Sequence, residues 1–278
     1  MNATAKRRHL WGDILAFAAL AFGALCMVGP FIWMVSTSFK PLPEQYDMRL
    51  IPQTFTAENY PRLIDIMPIH LQLWNSFTIA AISTFGQLLT CSMAGFIFAV
   101  VRFPFRNVVF VMLLVTLMVP AQVTVIPQFI VFKFLGIYGT QMPLYLPAFL
   151  GGAFGTFLMR QYFLTIPIEL AEAARIDGAS LARIFFTLYL PLAKPALAAF
   201  GIFAFMFSWN DLFNALIYLP SNMETTTVTV GLALFQTQYA GQWPLMMAGS
   251  ILAVLPIIIV FFLAQRYFIA GISMSGLK

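Results

Sequence analysis

The sequence predicts an all-α membrane protein with six transmembrane helices. Three observations predict it. Hydrophobic residues are 61% of the 278 and charged residues only 9%, against about 45–50% and about 25% in soluble domains. Mean hydropathy is +0.87. Six stretches are long and apolar enough to cross a bilayer core of about 30 Å, which takes about 20 apolar residues as a helix. So few charges cannot cover a soluble domain of this size, which excludes a soluble enzyme, a nucleic-acid-binding protein and a disordered chain. The net charge of +5 comes from basic residues that flank the apolar stretches.

The first span, Ile14–Ser36, follows Lys6, Arg7 and Arg8. Its apolar run, which continues to Phe39, is too long for a signal core, and Cys26 lacks the small residue expected before a lipoprotein cysteine, so an uncleaved signal anchor is expected. The second span is Ser76–Val100. The third, Val108–Phe132, contains Pro120 and Pro127, which predict a kink or break. The fourth, Leu144–Leu164, has an indistinct start around Pro147, and its G-x-x-x-G pair among Gly151, Gly152 and Gly155 predicts close helix packing. The fifth and sixth are Pro195–Tyr218 and Leu245–Phe268.

An even count puts both termini on one side, and the basic residues choose the side. With the termini cytoplasmic, the inner set holds eleven Lys and Arg residues, and the outer set only four: Lys40, Arg49, Arg62 and Lys133. Lys40–Trp74 and Leu219–Trp243 then form long outer loops. No repeat or linker divides the chain, so a single domain, 1–278, is expected.

Cys26 and Cys91 read as small buried hydrophobes. His9 and His70 fall on opposite sides of the membrane, so no metal site is expected. No paired catalytic residues are present, and no G-x-x-x-x-G-K-[ST] loop exists to bind ATP.

The cytoplasmic segment from Thr165 to Lys194 has the marks of two short helices about a glycine turn. Thr165 can cap and Pro167 suits a first turn. Glu169 and Glu172 sit where the helix dipole favours acid. Leu170, Ala173, Ala174 and Asp177 share a face at helical spacing. Gly178 is a natural helix end, and Ser180 can cap a second helix through Leu188. On pattern alone this is either a docking element or an amphipathic helix resting on lipid.

Glu172-Ala173-Ala174, then Asp177-Gly178-Ala179, then Leu188 and Leu190-Pro191 resemble the EAA loop of binding-protein-dependent ABC importer permeases. The family often has Ile where this chain has Leu188. Arg102-Phe103-Pro104-Phe105-Arg106, Phe157-Leu158-Met159-Arg160-Gln161, Ser208-Trp209-Asn210-Asp211 and Gln265-Arg266-Tyr267-Phe268 are similar to its carbohydrate-uptake branch, the maltose G-type and glycerol-3-phosphate E-type permeases. The likeness runs from Phe31 to Lys278.

This resemblance implies a type I ABC importer permease fold, with a shared core over about 72–268 and a cytoplasmic coupling helix within 165–191. It implies that Glu172, Ala173, Ala174, Asp177, Gly178, Ala179, Leu188 and Pro191 meet an ATPase subunit. It implies a heterodimer with a second, related permease, two ATPase subunits that use ATP and Mg, an extracytoplasmic solute-binding protein, and a bacterial or archaeal inner membrane. The tail with Ser273, Gly276 and Lys278 is either a frayed end or, as the resemblance implies, a segment reaching between the ATPases.

Polar groups within spans are the default candidates for a solute route. They are Gln122, Thr124 and Gln128 beside the third-span prolines, and Trp209, Asn210 and Asp211 in the fifth span. Helix–helix hydrogen bonds and interfacial anchoring explain the same residues. A self-sufficient secondary transporter is the competing reading. It needs ion-coupling carboxylates, and Asp211 is the only acidic residue clearly within a span. The solutes left open are oligosaccharides, monosaccharides, polyols, modified sugars and glycerol phosphates.

Overall fold

The computed structural model describes residues 3–220 and 222–275, with side chains over 13–220, 222–263 and 265. The described residues form helices and turns without a strand. In order the helices are α1 (Ala3–Ser38), α2 (Asn59–Ile66), α3 (Ile69–Val100), α4 (Arg106–Val115), α5 (Ala121–Phe134), α6 (Met142–Tyr145), α7 (Ala153–Phe163), α8 (Ile168–Ile176), α9 (Leu181–Ile184), α10 (Leu190–Leu192), α11 (Lys194–Trp209), α12 (Phe213–Tyr218), α13 (Val228–Gln238) and α14 (Trp243–Ser275). Two compact units result: Met1–Met67 with Leu232–Val254, and Pro68–Gly231 with Leu255–Lys278.

Four stretches are long and apolar enough to cross alone: Asp13–Ser38, Ile69–Val100, Met142–Phe163 and Trp243–Leu263. Among the described residues two bent pairs raise the count to as many as six, if each pair is one span. The third span is one of them: Arg106–Met118 and Ala121–Phe134 meet at 98°. Pro120 makes the break. Its ψ of 134° leaves the helical region, and it caps α5, whereas α5 runs on through Pro127. The second pair turns by 80° from Leu181–Leu192 into α11, just before Pro195.

In the second unit α3 is the central rod, packed on α7 and α11. Glycines permit the approach. A Cβ on Gly95 would stand 2.8 Å from the Arg160 backbone nitrogen, and one on Gly155 would stand 2.1 Å from Phe200 Cζ. Gly155 thus serves packing, as expected, while Gly151 serves the backbone: its φ of +84° ends the 3-10 turn of Leu146–Leu150 ahead of α7. Phe96 anchors the core, its ring 5.0 Å from Tyr189 and 5.3 Å from Phe185. Such pairs contribute about 0.5–1.5 kcal/mol each beyond area.

The predicted outer loops hold more helix than their composition indicates. α3 starts at Ile69, capped by Pro68, and α13 occupies much of Leu219–Trp243. Gln72 Nε2 donates to Met223 O at 2.9 Å, Asn75 Nδ2 donates to Glu224 O at 2.8 Å and Thr226 O at 3.0 Å, and Val228 N donates to Ser76 Oγ at 2.9 Å. Backbone groups that look unpaired in a Thr-rich sequence are therefore satisfied by α3.

In the first unit, Lys40 is fully buried and forms no salt bridge among the described residues. Its Nζ donates to Asp47 O at 2.7 Å and stands 4.3 Å from the centre of the Trp33 ring. Cys26 is exposed on α1, contrary to expectation, and Cys91 is buried. The Asp47 carboxylate accepts from Arg49 N at 3.0 Å and from Gln53 Nε2 at 3.0 Å. The Arg49 N–H, then the Gln53 amide, hold its pKa below the ordinary value. A depressed folded pKa contributes order that is present above the unfolded value of about 3.9 and lost as pH falls through the folded one. Acidification below about pH 4 is therefore expected to speed amide exchange over residues 47–54, and Asp47→Asn to remove that acid step. Identical exchange profiles for the two proteins would refute it.

Candidate functional site

Two features of the second unit stand out: an ordered surface element and a polar cleft. In the element, Pro167 rather than Thr165 caps α8; the Thr165 hydroxyl instead donates back to Tyr162 O at 2.7 Å. α8 ends at Asp177. Gly178 N donates to Arg175 O at 3.0 Å and Ala179 N donates to Ala174 O at 2.9 Å. With Gly178 at φ +80° this is a Schellman end, which satisfies two carbonyls that the helix leaves unpaired. Ser180 Oγ then accepts from Arg183 N at 3.3 Å and starts α9, as expected. The chain continues through a π-helical turn, Phe185–Tyr189, into α10.

One side of this element is embedded. Ala171, Ile184, Phe185 and Tyr189 are buried against Phe96 and Phe163. The other side is bare: Glu172, Ala173, Ile176, Asp177 and Gly178 are exposed, Ile176 by 87%. Ala174, Ala179 and Leu188 are half-buried between the two, and Pro191 is exposed. The predicted face is divided, because Ala171 and Ala174 turn inward while Leu170, Ala173 and Asp177 turn outward. Among the described residues Glu172 and Asp177 form no ion pair. The element is thus a small apolar patch edged by two carboxylates above a buried footing.

The cleft, of about 260 Å³, lies between α3, α5, α12 and the segment ahead of α7. Gln128 and Asp211 line it, as do Ser83, Gln87, Ser208, Asn214 and Tyr218. Tyr218 is buried and its hydroxyl donates to Gln128 Oε1 at 3.2 Å. Gln128 Nε2 donates to Thr124 Oγ1 at 3.1 Å. Asp211 caps α12: its Oδ1 accepts from Asn214 N at 3.0 Å and its Oδ2 from Asn214 Nδ2 at 2.9 Å. No Lys, Arg or His lines the cleft. Amides, hydroxyls and one carboxylate suit a ligand rich in hydroxyl groups.

Of the six residues read as a solute route, Gln128 and Asp211 reach the cleft and Thr124 supports Gln128 from behind. Gln122 is exposed and outside it. Trp209 is buried and stacks on Phe205 at 5.7 Å, a packing role. Asn210 Nδ2 donates to Met206 O at 2.8 Å and ties the end of its own helix. Asn214 and Tyr218, three and seven residues past Asp211, were readable as its continuation along one helical face, whereas Ser83 and Gln87 share a face of α3 but carry no such link to it in the sequence. Gly276 and Lys278 lie outside the described residues, and Ser273 is described only as backbone in the last turn of α14.

Residues 92–274 match the family described as "Binding-protein-dependent transport system inner membrane component". The chain belongs to this family. The permease is 36% identical over 273 residues to the arabinooligosaccharides transport system permease protein of Halalkalibacterium halodurans, covering 96% of each chain. It is 34% identical over 268 residues to the lactose transport system permease protein of Rhizobium radiobacter, covering 96% of this chain and 97% of that one. Among solved structures it is similar to a chain of a bacterial ABC transporter involved in the import of the acidic polysaccharide alginate, with TM-score 0.81 and 26% identity over 96% of the permease and 99% of that chain. The fold is the type I importer permease fold, as the EAA-like loop implied. The family match contains the whole of α8–α10 and most of the cleft; only Ser83 and Gln87 precede it.

Proposed function

We propose that the permease is the membrane-spanning subunit of an ATP-driven importer for a sugar-type solute, and that the segment 165–191 is its coupling element. The observation that carries this reading is the bare face of α8 on a buried footing: a surface ordered by its own Schellman end and unpaired within its unit. An ATPase cleft takes that face, with Glu172 and Asp177 meeting donors and Ala173 allowing close approach. The partners are a second, related permease, two ATPase subunits that use ATP and Mg, and an extracytoplasmic solute-binding protein. Both termini lie in the cytoplasm, the chain acts as one domain, and the tail through Ser273, Gly276 and Lys278 runs toward the ATPases. ATPase closure moves the α8 element as a body and switches the cleft between the two sides, a rigid-body transition.

Copurification in mild detergent from the native membrane, with mass spectrometry and an ATPase assay, tests the assembly. Recovery of a second permease, an ATPase and a binding protein is expected. Recovery of this chain alone, still moving solute without ATP, would overturn it.

The solute passes Gln128, Asp211 and Asn214 on its way. Relatives are named for the transport of arabino-oligosaccharides, lactose and sn-glycerol 3-phosphate, and the cleft lining holds no basic group, which favours an uncharged solute over a phosphate. Gln128→Leu is expected to raise the KM for uptake about fivefold, since one hydrogen bond contributes about 1 kcal/mol. The affinity of the binding protein for solute should stay the same. An unchanged KM removes the cleft from the route.

A further inference from the structure

Where α3 ends at Val100, α4 begins at Arg106, α7 ends at Phe163 and α8 begins at Ile168, the second unit holds a cavity of about 430 Å³. It borders the coupling element at residues 165–169 and Tyr189, but the proposed docking face, residues 172–178, does not line it. One wall is apolar, built from Val100, Phe163, Leu164 and Ile166. The other carries Arg102, Arg106, Glu169 and Tyr189.

Three independent features place positive or donating groups around this space. Tyr189 is completely buried, and its hydroxyl has no hydrogen-bond partner among the described residues. A buried hydroxyl left unpaired costs about 1–3 kcal/mol. The π-helical turn Phe185–Tyr189 brings it there, a local geometry common at functional sites. Arg102 is exposed and makes neither a hydrogen bond nor an ion pair among the described residues, and Arg106 uses only Nη1, on Val101 O at 3.3 Å. The first turn of α8 forms part of the wall, and Pro167 gives it no side-chain cap, so its amide groups and dipole favour an anion. Arg160 adds positive potential nearby; its Nε donates to Phe98 O at 3.2 Å and its guanidinium carbon lies 4.2 Å from the centre of the Phe110 ring.

We infer that this cavity binds the phosphate of an anionic glycerophospholipid head group. The cavity lies at the ends of spanning helices, where basic pockets between helices meet head groups. The apolar wall suits the glycerol and the start of the acyl chains. Among the described residues Glu169 is the only carboxylate in the lining and sets the charge the site accepts. Beside Glu169 a singly charged phosphodiester is favoured over the dianion that makes up a large share of inorganic phosphate near neutral pH. The phosphate accepts from Tyr189, Arg102, Arg106 and the α8 amides, and so ties the Arg102–Arg106 loop to the start of α8.

The test uses the full permease, in its native complex, in phosphatidylcholine nanodiscs that contain a trace of photoreactive phosphatidylglycerol. Crosslinks are expected on peptides covering 99–106 and 163–169, at least tenfold above those from a photoreactive phosphatidylcholine. Arg102→Gln, a change at an exposed side chain, should lower labelling about fivefold at an unchanged unfolding temperature. Tyr189→Phe keeps the core ring and should lower it about threefold. Equal labelling by both lipids, equal labelling of the variants, or displacement of the probe by millimolar inorganic phosphate would each overturn the inference.

Discussion

Gly178→Asp is expected to reduce uptake at least tenfold while the protein still inserts and folds. The folding side follows from the turn. Gly178 has φ +80° and a Cβ built on it meets nothing within 4 Å, so the added side chain has room. The left-handed backbone costs an ordinary residue about 1–2 kcal/mol, and aspartate is among the residues that tolerate it best. The functional side follows from exposure. The new carboxylate joins Glu172 and Asp177 on the bare face, where the unsubstituted turn leaves room for a partner. Gly178→Asn makes nearly the same backbone demand without the charge and should be intermediate. The measurement is uptake into vesicles beside ATPase activity of the complex, at matched membrane levels. Full uptake with coupled hydrolysis would remove this element from the docking role.

Gly155→Val is expected to damage the fold severely. The Cβ alone would stand 2.1 Å from Phe200 Cζ and 2.8 Å from Cys91 Sγ, two buried groups on α11 and α3. Overpacking of this kind costs about 1–3 kcal/mol and sometimes more, because neighbours must leave their rotamers. The matched control is Gly23→Val on α1, where a Cβ meets nothing within 4 Å. Thermal unfolding in detergent should fall by several degrees for Gly155→Val and hardly move for Gly23→Val. Adding Phe200→Leu to Gly155→Val should restore part of the loss. Equal midpoints for the two valine variants would refute the packing account.

Much of this architecture was readable from residues. Long apolar runs have few alternatives to helix in lipid, so α1, α3 and α14 follow from composition alone. The α8–Gly178–α9 turn was legible because each of its signals is local: an acid at the start, a glycine at the end, and a serine three residues before the amide it caps. The third span was legible only in part. Two prolines announced a break, but only the backbone shows that Pro120 ends one helix while Pro127 is absorbed by the next. Thr165 and the predicted face of α8 failed for a shared reason. A cap competes with a preceding helix end for the same hydroxyl, and a face is inward only where another element covers it. The cleft was harder still. Trp209 looked like a sugar-facing ring and is packing, whereas Ser83 and Gln87 look like ordinary span residues and reach the cleft through the long-range meeting of α3 with α5 and α12.

The unbroken run of α3 has a mechanical consequence. At about 1.5 Å per residue its 32 residues extend about 48 Å, well beyond the hydrocarbon core. Its first turns are stitched to the backbone of Met223, Glu224, Thr226 and Val228, and its far half meets α7 at Gly95. There is no proline along it. It is a strut, then, clamped at both ends. A displacement imposed on the 223–228 segment travels down its length and arrives, with little absorbed on the way, at the residues that seat α8.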